Sequence, residues 1–349
     1  MNEVIIITQG NENTGINKYA INTHMAMNDI SHLFFIKFRK NHENYQYGRS
    51  IQGRFYYRNS PINLNSLFPK IAYSNFVNYL KEQKIKGTLI HISSPHVLKI
   101  APGFDNIVTI HDMSPFLNVG SNNSEYFLTR ILYKHYLKFN HILTVSDYVK
   151  KMVEDIVIQG NVNRIYPYIS DNFVPLNDKI KLRKKYDLPL DRKLIISVST
   201  NIPRKNLKIL PEVFSRLGND YKLVRIGESV GNSYTFTPSD EVQMNEIYNA
   251  CDALLSTSLD EGFGFPLIEG LKAGLPVVAS DIPVHREILG EFGFYFDPTS
   301  IKDIAIQVKE SLKVKKDNDK NLSKWLSKFN FDEFKKQMRE YYDHISKES

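Results

Sequence analysis

The sequence predicts an α/β protein of two domains, each a parallel sheet covered by helices. Three observations carry this reading. The chain has 349 residues, more than a single hydrophobic core usually serves. Short apolar runs that suit buried parallel strands alternate with helical patterns in both halves. A second first-strand pattern, Lys193-Leu194-Ile195-Ile196-Ser197-Val198-Ser199, opens after a polar connector near 169–188, where Ser170, Asp171, Asn172, Asn177 and Asp178 gather around Pro175. The expected division is 1–172, 173–330 and a C-terminal helical segment, 331–349, whose helix starts at Phe331-Asp332-Glu333-Phe334 and runs to about Ile345.

In chain order, residues 4–8 form a strand. The start has no basic residues and only a short apolar run, so it reads as that strand and not as a signal peptide. Residues 9–19 are a loop feeding a helix towards Met27, and Gly15 at its entrance offers an amide N–H to a phosphate oxygen. Residues 88–92 and 107–110 are buried strands, the second ending in His111-Asp112-Met113-Ser114-Pro115. A histidine at the carboxyl end of a strand is either structural or placed for substrate contact. Residues 126–138 interleave apolar and basic side chains at helical spacing. That pattern suits a core-facing helix with a solvated side, or a helix lying on a membrane surface. Residues 142–145 are a strand, and Ser146 caps the helix after it.

In the second half, residues 193–199 are followed by Thr200-Asn201-Ile202-Pro203-Arg204-Lys205-Asn206-Leu207. Arg204 offers a fork of donors and Lys205 a mobile point charge, a pair suited to a diphosphate, though adjacent basic residues in loops are commonly just solvated. The most informative stretch is Asp260-Glu261-Gly262-Phe263-Gly264-Phe265-Pro266-Leu267-Ile268-Glu269-Gly270. It follows an apolar run at 253–255 and reads as strand end, glycine turn and helix start. Gly262 and Gly264 allow a sharp turn and a close approach to a ligand. Pro266 fits the first helical position, where a missing N–H costs nothing. The helix N-terminus carries roughly +0.5 elementary charge with unpaired donors, which suits phosphate or sugar oxygens. Glu261 outside the turn and Glu269 inside the helix can face one crevice at the carboxyl end of a sheet. A plain turn before a helix remains the alternative, since such turns occur throughout α/β proteins.

Glu261 and Glu269 bracket seven residues, and this segment resembles the E-x7-E signature of retaining glycosyltransferases of the GT-B fold, family 4. Ala273-Gly274-Leu275-Pro276-Val277-Val278-Ala279-Ser280 and Pro283-Val284-His285-Arg286-Glu287-Ile288-Leu289-Gly290 extend the match. The resemblance implies two Rossmann-like domains facing a cleft, with the last helix crossing back to the first domain. It implies that the first domain binds the acceptor and the second a nucleotide sugar, UDP- or GDP-hexose. It assigns His111 to the donor sugar near the reacting carbon, Arg204 and Lys205 to the leaving diphosphate, Glu261 to the sugar and Glu269 to the ribose hydroxyls. Gly15, Gly262, Phe263, Gly264, Phe265, Pro266 and Leu267 complete the donor-binding set. The family carries two adjacent glycines near Gly15, where this chain has Thr14 in place of the first. Residues 230–238 depart from the family in the region that normally helps to hold the base. No cofactor or metal is expected, because no carboxylate pair has the flanking signature for holding Mg²⁺ on a diphosphate.

Composition narrows the classes. Hydrophobic content of 42% and charged content of 24% are ordinary for a globular chain. The single cysteine, Cys251, excludes an internal disulfide framework and reads as a small buried hydrophobe. No apolar run has the length of a membrane span, and a cytoplasmic protein is expected. Of the net charge of +7, most lies in residues 1–175, with 18 Lys/Arg against 12 Asp/Glu. A basic half suits peripheral contact with an anionic membrane or a phosphorylated substrate, or is simply a solvated surface. No nucleic-acid-binding motif accompanies it. The function expected is transfer of a hexosyl group to a glycan or lipid-linked saccharide in cell-envelope polysaccharide or glycoconjugate assembly. A sugar-nucleotide epimerase on the same fold and a non-catalytic sugar-nucleotide-binding subunit are the alternatives.

Overall fold

The structure, a computed structural model, describes residues 3–9, 14–38, 44–51, 54–63, 87–93, 106–117, 139–157, 160–313 and 320–348. The helix expected at 126–138 lies outside these residues. The chain divides into two compact units: Met1–Phe116, Asn123–Tyr168 and Phe331–Ser349 form the first, and Leu117–Asn122 with Ile169–Asn330 the second. The main crossing falls between 168 and 169, four residues before the boundary read from the sequence. Residues after it already belong to the second unit, because Ile169 N–H donates to Phe329 O at 2.9 Å and Val174 N–H to Asn245 Oδ1 at 3.2 Å.

The first unit holds strands β1 (Glu3–Gln9), β2 (Ser31–Phe38), β3 (Asn44–Ile51), β4 (Arg54–Asn63), β5 (Gly87–Ile92), β6 (Asn106–Ile110), β7 (His141–Thr144) and β8 (Asn161–Arg164). Its helices are α1 (Gly15–Ala26), the single turn α2 (Ser114–Leu117) and α3 (Asp147–Glu154). The strand order is β4-β3-β2-β1-β5-β6-β7-β8. Six strands, from β2 to β8 in that order, are parallel, and β3 and β4 extend the β2 edge antiparallel. The sequence reading had not anticipated this extension. Val4, Ile5, Ile6 and Ile7 are all at most 1% exposed, so β1 is covered on both faces, as a central parallel strand must be. Ser146 caps α3 by accepting from Val149 N–H at 3.2 Å.

The second unit holds α4 (Lys179–Lys185), β9 (Lys193–Val198), α5 (Leu210–Leu217), β10 (Tyr221–Ile226), β11 (Tyr234–Phe236), α6 (Glu241–Ala250), β12 (Ala253–Ser256), α7 (Phe265–Lys272), β13 (Val277–Ser280), α8 (Pro283–Leu289), β14 (Gly293–Phe296), α9 (Ile301–Ser311) and α10 (Lys320–Leu326). All six strands are parallel, in the order β11-β10-β9-β12-β13-β14. This is the doubly wound order, and its switch point lies between β9 and β12. Ile195, Leu255 and Val278 of the sheet pack with Leu210 and Val213 of α5 and with Ile304 and Val308 of α9. Cys251 is fully buried after α6, and burial pushes its thiol pKa up.

The last helix, α11 (Phe331–Glu348), belongs to the first unit. Its Tyr342 hydroxyl and Thr109 Oγ1 each lie 2.5 Å from a ring nitrogen of His91 on β5, which is fully buried. Burial holds His91 near a pKa of about 3, so the ring is neutral and can donate at one nitrogen and accept at the other. Phe334 packs edge-on to Tyr19 of α1 at 5.6 Å, and Arg339 reaches Asp29 at 2.6 Å.

Candidate functional site

The second-unit cluster forms at the switch point. After β9 the chain turns through a 3₁₀ segment, Pro203–Lys205, which ends on Asn206 in the left-handed region at φ 52°. That turn is tied to the segment after β12: Leu259 N–H donates to Arg204 O at 2.7 Å and Thr257 Oγ1 to Lys205 O at 2.8 Å. The two backbones are thus fixed to each other before any side chain is considered. Arg204 Nη1 then donates to Glu261 Oε2 at 3.3 Å and to Asp260 O at 3.1 Å. Lys205 Nζ donates to Glu261 Oε1, and Ser258 Oγ donates to the same oxygen at 2.8 Å. The three charged side chains are 17%, 13% and 12% exposed, for Arg204, Lys205 and Glu261 in turn. Burial alone would raise the Glu261 carboxyl, but the Lys205 and Arg204 charges outweigh it and hold the pKa down at about 2. Glu261 is therefore ionised across the physiological range, held between two cationic side chains.

The glycine turn follows. Gly264 sits at φ 90° as the residue before α7, a conformation that a side chain disfavours. The helix opens at Phe265, so Pro266 occupies its second position, not the first; neither position needs its N–H within the helix. Phe263 is 3% exposed, with its ring edge-on to Phe265 at 5.3 Å and to Phe329 at 5.7 Å. Leu267 is 1% exposed. These two side chains face the core, so what they can offer a ligand is backbone. Glu269 is buried, and Oε2 accepts from Tyr248 Oη at 2.8 Å. Glu269 therefore has a structural hydrogen bond that the sequence reading did not foresee.

Gly15 and His111 lie in the first unit. Gly15 is the first residue of α1, where Thr14 Oγ1 caps the helix by accepting from Asn17 N–H at 3.3 Å. The threonine in place of the family's first glycine thus has a local role. The Asn17 side chain is fully buried and accepts from Thr8 Oγ1 at 2.5 Å. His111 follows β6, with its ring edge-on to Tyr19 of α1 at 5.4 Å. Burial lowers its pKa to about 4, against the opposing influence of Asp112 and a hydrogen bond to the Ser93 backbone. The ring is neutral at pH 7, and its Nε2 is buried with no hydrogen-bond partner among the described residues.

The sequence reading assigned no role to His285, Arg225, Tyr248 or Ser258. His285 is fully buried on α8, with Nδ1 2.9 Å from Ser280 O and Nε2 without a hydrogen-bond partner among the described residues. Burial lowers its pKa to about 4, opposed by the Glu261 charge. Arg225 is a fully buried arginine near the carboxyl end of β10. Its signal was legible as a charge breaking the apolar run Leu223-Val224-Arg225-Ile226. Tyr248 left no such signal, because its partner Glu269 lies 21 residues away in sequence, whereas Ser258 bonds Glu261 only three residues on. Among the described residues, no group of three or more His, Cys, Asp or Glu side chains is placed to hold a metal ion, and no helix is long and apolar enough to cross a membrane.

Two α/β units, one with a wholly parallel sheet and one with six parallel strands and an antiparallel extension, give the chain a GT-B fold. The fold matches that of sucrose-phosphate synthase from Thermosynechococcus elongatus with a TM-score of 0.80, at 18% identity and with both chains covered completely. WaaG, a glycosyltransferase of lipopolysaccharide biosynthesis, matches with a TM-score of 0.67 at 14% identity, over 93% of this chain and 94% of the other. Residues 178–325 match the family described as glycosyl transferases group 1. The O-antigen chain mannosyltransferase RfbU of Salmonella typhimurium is 26% identical over 251 residues, 65% of this chain and 66% of that protein. The chain thus spans slightly under two thirds of that relative. It spans 18% of the serotype-specific mannosyltransferase WbdA of Escherichia coli, which is 34% identical over 144 residues.

Proposed function

We propose that the protein is a retaining glycosyltransferase of family 4 that moves a hexosyl group, mannosyl before others, from a nucleotide sugar to a glycan or lipid-linked saccharide. The observation that carries the reading is the Arg204–Lys205–Glu261 cluster at the β9/β12 switch point, within the segment that matches the family. Arg204 and Lys205 present fixed positive charge to a departing diphosphate, and removal of one such preorganised donor costs roughly 10²–10³ in rate. Glu261 holds the donor sugar and balances positive charge that develops at its reacting carbon. Glu269 takes the ribose hydroxyls, its carboxylate being oriented by the hydrogen bond from Tyr248 to Oε2. The amides of Gly264 and Phe265 in the turn before α7 and of Gly15 supply neutral donors to the diphosphate. His111, neutral and with Nε2 unpartnered among the described residues, contacts the sugar near the reacting carbon. In this reading the leaving diphosphate takes the proton of the incoming hydroxyl, and the cationic side chains do the charge work without a metal. The mannosyl preference follows the names of the relatives, as does the setting of cell-envelope polysaccharide assembly.

The test is a panel of UDP- and GDP-hexoses incubated with the protein, with and without a glycolipid extract and with and without EDTA, following nucleoside diphosphate release. Release from one donor that rises with the extract and survives EDTA supports the reading. Epimerised donor without acceptor would replace it with an epimerase. Retention is checked by the anomeric configuration of the product, and an inverted product would overturn that part.

A further inference from the structure

Arg225 has the chemistry of a functional residue and stands outside the site described above. It lies on β10, opposite Ser197 of β9 in the sheet register, and is fully buried. Its guanidinium bridges the ends of both strands. Nη1 donates to Ser197 O at 2.8 Å and Ser197 Oγ at 3.0 Å, Nη2 to Ser199 O at 2.7 Å, and Nε to Glu228 O at 3.3 Å. None of these acceptors is a carboxylate. Burying an ion costs several kcal/mol even after relaxation, and a hydrophobic side chain of similar volume commonly packs as well or better. Packing therefore does not explain an arginine here. What only the planar fork can do is hold carbonyls from two loops at once.

One of those two loops carries the Arg204–Lys205 turn. The segment from Ser199 leads directly into it. The β10 segment turns at Gly227, at φ 119°, where an added Cβ would lie 2.2 Å from Ser199 O. The backbones thus approach so closely that only glycine fits. Glu228 closes the connection by accepting from Asn201 N–H at 2.8 Å. Arg225, Gly227 and Glu228 together fasten 199–201 to 227–228.

We propose that Arg225 is a positioning residue for the diphosphate site, holding the loop that carries Arg204 and Lys205. The inference rests on the reading of that cluster as the diphosphate site. Two consequences separate this role from general stabilisation. Loss of the clamp frees residues 199–206 locally while the rest of the second unit stays closed. The lost affinity falls on the part of the nucleotide that Arg204 and Lys205 engage.

The experiment compares the wild-type chain with Arg225→Met and Arg225→Lys at a temperature where all three are folded by circular dichroism. Amide hydrogen exchange is read by segment, and UDP, GDP, UMP and GMP are titrated calorimetrically. Arg225→Met is expected to speed exchange in 199–206 and 227–229 at least tenfold, with β12 and β13 unchanged. It should weaken the preferred diphosphate about tenfold or more and the matching monophosphate less than threefold. Arg225→Lys keeps the charge without the fork and should release the same segments. Exchange unchanged in 199–206, release spread over the whole unit, or full rescue by lysine would each overturn the proposal. Equal losses on mono- and diphosphate would overturn its link to Arg204 and Lys205. If the wild-type chain bound neither diphosphate, the reading of the cluster would fail and the functional inference with it, while the exchange data would still decide whether Arg225 clamps the loop.

Discussion

Glu261→Gln tests the cluster most directly. The substitution keeps the shape and removes the anion between Lys205 and Arg204. In the folded chain the Glu261 carboxyl falls from 4.5 to about 2, a difference worth about 3 kcal/mol between its charged and neutral forms. Because the folded pKa is the lower one, this stabilisation is complete above 4.5 and disappears as the pH falls through about 2. Glu261→Gln should therefore lower the stability of the second unit by about 3 kcal/mol at pH 7, with the gap from wild type shrinking steadily below pH 4.5. Trp325, the single tryptophan, makes the assay specific: it lies on α10 in the second unit and donates to Ile288 O at 2.9 Å. Urea unfolding followed by its fluorescence at pH 7, 4 and 3 reads the gap. The same substitution leaves two partly buried cations for an incoming diphosphate to neutralise, so UDP or GDP should bind about tenfold more tightly while sugar transfer falls. A stability gap under about 0.5 kcal/mol at pH 7, or one that does not change with pH, would refute the electrostatic account.

Four further outcomes are expected. Gly227→Ala places a Cβ against Ser199 O in a left-handed backbone position and should destabilise the second unit by about 2 kcal/mol or more, read by Trp325 fluorescence. Tyr342→Phe removes the hydroxyl partner of His91 and should cost about 1–3 kcal/mol, visible as faster amide exchange in α11. His111→Ala should lower transfer more than nucleotide affinity, and the reverse result would make it a binding or packing residue. With His91 held near 3 and His111 and His285 near 4, the unfolded chain takes up protons before the folded one as the pH falls below 6.5. Stability should then decline from about pH 6.5 downwards, and a denaturation midpoint flat between pH 7 and 5 would contradict it.

The sequence by itself determined the local elements. Apolar runs of strand length marked β1, β5, β6, β9 and β12 to within two residues at their ends, because a strand buried on both faces must be continuously apolar. The glycine turn before α7 and the cap at Ser146 were legible for the same local reason: backbone conformation and helix ends are set by neighbours in sequence. Arg204, Lys205 and Glu261 were legible as residue types after strands, with their roles supplied by family resemblance. The tertiary structure alone decided that they meet. Glu261 is 56 residues from Lys205, and only the adjacency of β9 and β12 brings the two together. Strand periodicity states which positions are buried and is silent on which strands are neighbours. For the same reason the pairing of Glu269 with Tyr248, the His91–Tyr342 link across 251 residues and the Arg225 clamp between two loops could not be read from the chain. Each depends on buried polar groups finding partners, which is settled by the packing of whole sheets and not by any local pattern.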